Sequence, residues 1–170
     1  KSILKYGNLE FDDERLTDAE MEEKKVTSQE LPSMTVNDDT LVSSMSLLRY
    51  VSKLTHTYPS NALDAAEVDQ WCELHAEFLT ALTLNACPDK FGLAKFDKAA
   101  HVKWCLDTHI PKYLNTLEQE LAEHGSFLAD MDSISVADIC WHATLTSLQA
   151  GEYHASKLDV EPFPSVKKYI

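Results

Sequence analysis

From Ser135 to Leu148 the sequence places Val136, Ala137, Ile139, Cys140, Trp141, Ala143, Leu145 and Leu148 on most sides of a helix. A helix with so wide an apolar surface has to be enclosed by other elements, which predicts the middle of a helical bundle. Two further runs supply the enclosing helices. Val68, Trp71, Cys72, His75, Phe78, Leu79 and Leu82 recur at helical period up to a stop at Pro88. Val102, Leu106, Ile110, Tyr113, Leu114, Leu117 and Leu121 do so up to Gly125, with Pro111 predicting a kink. Ser135 and Asp138 form a capping box at the head of the central helix, with Ile134 and Ile139 at staple positions. Such a box is a folding device worth about 1 kcal/mol for the cap, and it has no chemical role.

The chain before residue 54 has a different texture. Leu9-Glu10-Phe11 leads into the acidic Asp12-Asp13-Glu14, and the apolar runs Leu31–Val36 and Thr40–Val42 flank Asn37-Asp38-Asp39. Two short runs around a tight-turn signal predict an antiparallel hairpin, with Pro32 at the opening of its first strand. Ser43-Ser44 then precedes Met45, Leu47, Leu48, Val51 and Leu54, a helical stripe with serine available as its N-cap. The polar, proline-bearing stretch from His56 to Asn61 predicts a boundary. The expected organisation is an α/β domain over 1–54 and an all-helical domain over 62–170.

Charge and composition remove several function classes. With 15 Lys+Arg against 28 Asp+Glu the chain carries a formal charge of -13 and has no basic stripe, which argues against nucleic acid and anionic membrane surfaces as partners. No apolar run is long enough to span a membrane. The opening residues Lys1 to Gly7 lack the apolar core of a signal peptide, and an opening Lys points to a chain that does not begin where its gene does. Cys72, Cys87, Cys105 and Cys140 stand 15, 18 and 35 residues apart, without a Cys-x-x-Cys pair, as expected for reduced thiols in a reducing, cytoplasmic compartment. The seven histidines, His56, His75, His101, His109, His124, His142 and His154, have no two at the four-residue spacing of a helical ligand pair, so no metal site is expected. Four glycines cannot furnish a Rossmann or phosphate-loop fingerprint, and a Gly-x-Ser-x-Gly elbow is absent.

Chemistry is left with one location. Leu31-Pro32 offers a backbone N–H and C=O that can pair with an extended peptide, and Ser43-Ser44 offers a hydroxyl, free amides and a positive helix end that suit a carboxylate. A small anionic peptide fits between them, and so does the plain alternative of a serine-capped hairpin.

Taken in order, Leu9 to Leu16, Leu31 to Val36, Ser43 to Val51 and Ser135 to Ile139 resemble the glutathione transferases, in particular the sigma-like or prostaglandin-D-synthase-like branch. The resemblance covers nearly the whole chain. It implies an incomplete thioredoxin-like domain, lacking its first β-strand, followed by the family's all-helical domain. It also implies a set of glutathione-binding residues. Leu31 matches the residue whose backbone pairs with the cysteinyl part of glutathione, Pro32 the cis-proline after it, and Ser44 the serine that holds the γ-glutamyl carboxylate. Lys25 corresponds to a lysine at the glycyl carboxylate, and Asp69 to an acidic residue that reaches the partner subunit's glutathione. Ser43 stands where the family usually has Gln or Glu, and Glu30 where it often has Gln or Lys. No residue here matches the Tyr, Ser or Cys that activates the thiol, since Tyr6 falls at the far end of the opening helix.

The implied function is a glutathione transferase, with glutathione as co-substrate, a small hydrophobic electrophile, and a homodimer or larger assembly. The alternative is a non-catalytic module of the same fold serving assembly. Helix residues around Trp71, Leu74, His75 and Phe78 flank the family's electrophile pocket, although side chains of these types at this spacing read equally as core.

Overall fold

The computed structural model describes residues 2–27, 31–86, 88–93, 95–151 and 158–170. The chain divides into two compact units, Lys1–Tyr58 and Pro59–Ile170.

The first unit begins with helix α1 (Ser2–Tyr6) and a stretch without regular structure that leads to α2 (Asp18–Glu23). Thr17 starts α2 with a complete capping box: its hydroxyl accepts from the Glu20 amide while the Glu20 carboxylate accepts from the Thr17 amide at 2.7 Å. Leu9-Glu10-Phe11 keeps the half-buried, exposed, half-buried alternation of a strand but joins no ladder. Strand β1 (Ser33–Val36) and strand β2 (Asp39–Val42) make a two-stranded antiparallel sheet in which Ser33 faces Val42 and Val36 faces Asp39. The turn is therefore Asn37-Asp38 alone, shorter than the predicted loop by Asp39, and Asn37 takes the positive φ of 54° that asparagine tolerates. Helix α3 (Ser44–Leu54) packs on α1 and both strands, burying Leu47, Val51 and Ser52 with Ile3. Leu54, expected on the buried stripe, is half exposed at 50%. A Cβ on Gly7 would collide with the Thr55 side chain, so glycine permits the close approach of α1 to the end of α3.

The second unit contains helices and no strand among its described residues. It comprises α4 (Ala62–Ala86), a 3₁₀ turn at Pro88–Phe91, α5 (Lys98–Trp104), α6 (Ile110–His124), α7 (Val136–Gln149) and α8 (Pro164–Tyr169). Its core is built from Val68, Trp71, Cys72, Phe78 and Leu82 of α4, Leu114 and Leu117 of α6, and Val136, Trp141, Leu145 and Leu148 of α7. Helix α7 is central, as its composition requires: eight of its 14 residues are buried, and the indole of Trp141 donates to the Trp71 carbonyl at 3.0 Å. The Ser135 and Asp138 capping box is formed.

Pro111 has a specific structural outlet. Between α5 and α6 the chain makes a π-helical turn, Cys105–His109, in which the Ile110 amide donates to the Cys105 carbonyl five residues back. Proline has no N–H to give the carbonyl four residues before it, so the ladder is re-registered over the preceding turn.

Candidate functional site

The hairpin register builds the site. Because Ser33 faces Val42, the residues just outside that pair, Pro32 and Ser43, close the same end of the sheet. The Leu31–Pro32 peptide bond is cis, and Leu31, Pro32, Ser43 and Ser44 are all exposed. Helix α3 starts directly from this end, so its unpaired N-terminal amides and positive dipole lie beside Pro32.

The capping role expected of the serines is corrected. Ser43 is the N-cap residue by position, but its hydroxyl makes no capping bond and its backbone sits at φ 77°, ψ 125°. A hydroxyl cap needs an extended N-cap residue whose side chain folds back over the first turn, a geometry this backbone does not provide. The first turn of α3 carries no acidic residue. An anion at this end meets amides, the Ser44 hydroxyl and a helix dipole, the combination that binds carboxylates and phosphates at helix starts.

The fold therefore brings together four of the expected binding residues, Leu31, Pro32, Ser43 and Ser44. Lys25 is exposed in the turn that closes α2, with φ 54° and its amide on the Glu22 carbonyl at 3.2 Å. Its neighbour Lys24 is paired with Glu14, whose carboxylate raises the lysine's pKa above the usual range. Glu30 lies outside the described residues, as do Cys87 and His154. Asp69 is half-buried on α4, in the second unit.

Of the helix residues near the expected electrophile pocket, Trp71, His75 and Phe78 are buried in the core of that unit and Leu74 is half-buried. Phe78 is fully buried and stacks on the His109 ring at a centroid distance of 5.5 Å. His75 is buried, with Nε2 at 2.7 Å from the Thr144 hydroxyl and its ring edge-on to Trp141, and burial pushes its pKa down to about 4. It is a neutral packing group at neutral pH. A cavity of about 250 Å³ is lined by Asp64, Glu67, Asp130 and Asp132 together with Ala129, Met131 and Ser133, a carboxylate-rich wall that disfavours an anionic peptide. Among the described residues, no group of three His, Cys, Asp or Glu side chains is placed to hold a metal, and Cys72, Cys105 and Cys140 are buried thiols outside any disulfide.

Sequence reasoning missed the unusual backbone of Ser43, because serine carries no residue-type signal for a positive φ. A glycine or asparagine there would have supplied one.

Comparison with known proteins places this geometry in context. Residues 90–170 match the family described as glutathione S-transferase, C-terminal domain. Glutathione S-transferase 1 of Ascaris suum is 24% identical over 182 residues, spanning 99% of this chain and 86% of the relative. The structure of prostaglandin synthase D of Nilaparvata lugens superposes with a TM-score of 0.79 at 17% identity, covering 98% of this chain and 80% of that one. The pi-class glutathione S-transferase of Onchocerca volvulus does so with a TM-score of 0.77 at 20% identity, covering 98% and 76%. No helix among the described residues is long and apolar enough to cross a membrane.

Proposed function

Since the chain has the glutathione transferase fold and carries that family's C-terminal domain over residues 90–170, we propose that it is a glutathione transferase that binds the tripeptide at the open end of the β1–β2 hairpin. The observation that carries this reading is the convergence of Leu31, Pro32, Ser43 and Ser44 at the start of α3. The Leu31 backbone pairs with the cysteinyl residue, in the manner of a short added strand. The Ser44 hydroxyl and the α3 amides take the γ-glutamyl carboxylate. Lys25 serves the glycyl carboxylate, and Asp69 reaches toward the glutathione of a second subunit. Held this way, the thiolate attacks a small hydrophobic electrophile or reduces a peroxide, and the protein contributes position more than basicity. The expected setting is a cytoplasmic homodimer.

Because the chain carries a net charge of -13, affinity for an anionic tripeptide depends on these few donors: backbone amides, a hydroxyl, a helix dipole and a single lysine. Calorimetric titration of the full chain with glutathione tests the reading. Binding is expected for the parent, and Ser44→Ala should weaken it about tenfold, the loss of one charge-assisted hydrogen bond. Absence of binding in the parent, or an unchanged affinity in Ser44→Ala, would overturn it.

A further inference from the structure

The second unit holds a run of ring contacts that the proposed transferase site does not use. Trp104, on the surface at 44% exposure, lies 5.0 Å from His109 between ring centroids, and His109 lies 4.8 Å from Tyr113. Tyr113 in turn lies 6.4 Å from Trp141, whose side chain is fully buried, and both touch Phe78 at 5.3 and 5.2 Å. An exposed and a buried tryptophan thus flank one tyrosine.

The polar partners distinguish Tyr113 from Trp141. The Tyr113 hydroxyl donates to Glu77 Oε2 at 3.3 Å, so the phenol that must lose a proton on oxidation already faces a carboxylate. The Trp141 N–H donates to a backbone carbonyl, which is not a base. The bridging ring of His109 is fixed by its Nε2–H, which donates to the Phe78 carbonyl at 3.1 Å, and burial lowers its pKa, so it is neutral.

We propose that Tyr113 and Glu77 form a proton-coupled electron donor that repairs one-electron oxidation of Trp104 and Trp141. The oxidants are alkoxyl radicals of organic hydroperoxides. At the surface, an alkoxyl radical takes a hydrogen atom from the Trp104 N–H and leaves as an alcohol. Tyr113 then passes an electron through the tilted His109 ring to the Trp104 radical, which recovers its proton from water, while the phenol proton moves to Glu77. Where the Trp104 radical takes its electron from Trp141 instead, and its proton from water, it leaves an indole radical cation that keeps its N–H against the Trp71 carbonyl. Tyr113 returns the electron to that radical cation while the phenol proton moves to Glu77. Glu77 releases the proton to solvent, and a thiol in solution returns a hydrogen atom to the tyrosyl oxygen, becoming a thiyl radical.

Pulse radiolysis of the full chain with azide radicals, which oxidise tryptophan selectively, tests the proposal. Tryptophanyl absorption should decay into tyrosyl absorption in a first-order step whose rate is independent of protein concentration. Tyr113→Phe keeps the ring and should lose that step, and Glu77→Gln should slow it several-fold. Near-UV circular dichroism verifies that both variants are folded. After exposure to alkoxyl radicals, peptide mapping should find more oxidised Trp141 in Tyr113→Phe than in the parent. A folded Tyr113→Phe that retains the concentration-independent step overturns the proposal, as does a Glu77→Gln variant with an unchanged rate. If the fold-check shows Tyr113→Phe misfolded, the Glu77→Gln rate alone decides.

Discussion

The Tyr169 hydroxyl donates to Asp138 Oδ1 at 3.1 Å, so the carboxylate that caps α7 also anchors the last helix of the chain. Asp138 is 2% exposed and accepts as well from the Ser135 amide at 2.7 Å, the Ser135 hydroxyl at 2.8 Å and the Leu128 amide at 2.9 Å. Burial, and then the Asp138 charge, hold the Tyr169 phenol far above its ordinary pKa, which keeps it a donor.

Asp138→Ala strips partners from several buried donors at once and should cost about 3 kcal/mol or more. Tyr169→Phe removes a single bond and should cost about 1 kcal/mol. Urea unfolding of both variants checks the ratio. Equal effects would mean that the carboxylate does not organise the other three donors.

His75 makes stability depend on pH in a defined window. Its folded pKa of about 4 lies below the ordinary 6.5, so as pH falls through 6.5 the unfolded chain takes up a proton that the folded chain refuses. The stabilising contribution is complete above pH 6.5 and declines as pH drops to about 4, by on the order of 3 kcal/mol in all. His75→Gln should flatten that slope in urea midpoints measured across the same range. A slope unchanged by the substitution would place the titration elsewhere.

Period and capping chemistry made the second unit legible: Val136 to Leu148 is apolar on too many sides to be anything but enclosed, and Ser135 with Asp138 marks where it starts. The hairpin was legible too, from Asn37-Asp38 between short β-branched runs. Three features were not. A proline reads as a kink, but its residue type does not say that the missing Pro111 N–H is absorbed by a π turn over Cys105–His109. Leu54 fits the apolar stripe of α3 yet is exposed, because a stripe records spacing and not which turn has a neighbour. Tyr113 and Glu77 meet across 36 residues, and nothing local in either helix announces the contact.

Glu118 secures α8 from the side of α6. Its carboxylate accepts from the Ser165 amide at 2.9 Å and the Val166 amide at 3.0 Å, at the start of a six-residue helix that could not persist alone. Burial works to raise the Glu118 pKa, but the amides of Val166 and Ser165 outweigh it and hold the carboxyl below 4.5. Folded-state depression means that the tether is intact above pH 4.5 and is lost as pH falls through the lowered value. Hydrogen exchange at α8 should therefore accelerate on acidification below that point. Glu118→Gln should show the faster exchange already at neutral pH. This window opens at the foot of the His75 window, and Glu118→Gln, which leaves His75 in place, tells the two titrations apart.

Ser43 and Ser44 should respond to glycine with opposite signs. Ser43 sits at φ 77°, a region that costs a side-chain-bearing residue and costs glycine nothing, and its hydroxyl caps nothing. Ser43→Gly should thus stabilise the first unit by roughly 0.5–1 kcal/mol. Ser44 is the first residue of α3, where glycine adds unfolded-state freedom without relieving strain, so Ser44→Gly should destabilise by a few tenths of a kcal/mol up to about 1 kcal/mol. Thermal midpoints of the two variants, measured side by side, decide the matter. Should both fall, the Ser43 backbone would be held by contacts of its own side chain and its positive φ would not be a cost that glycine relieves.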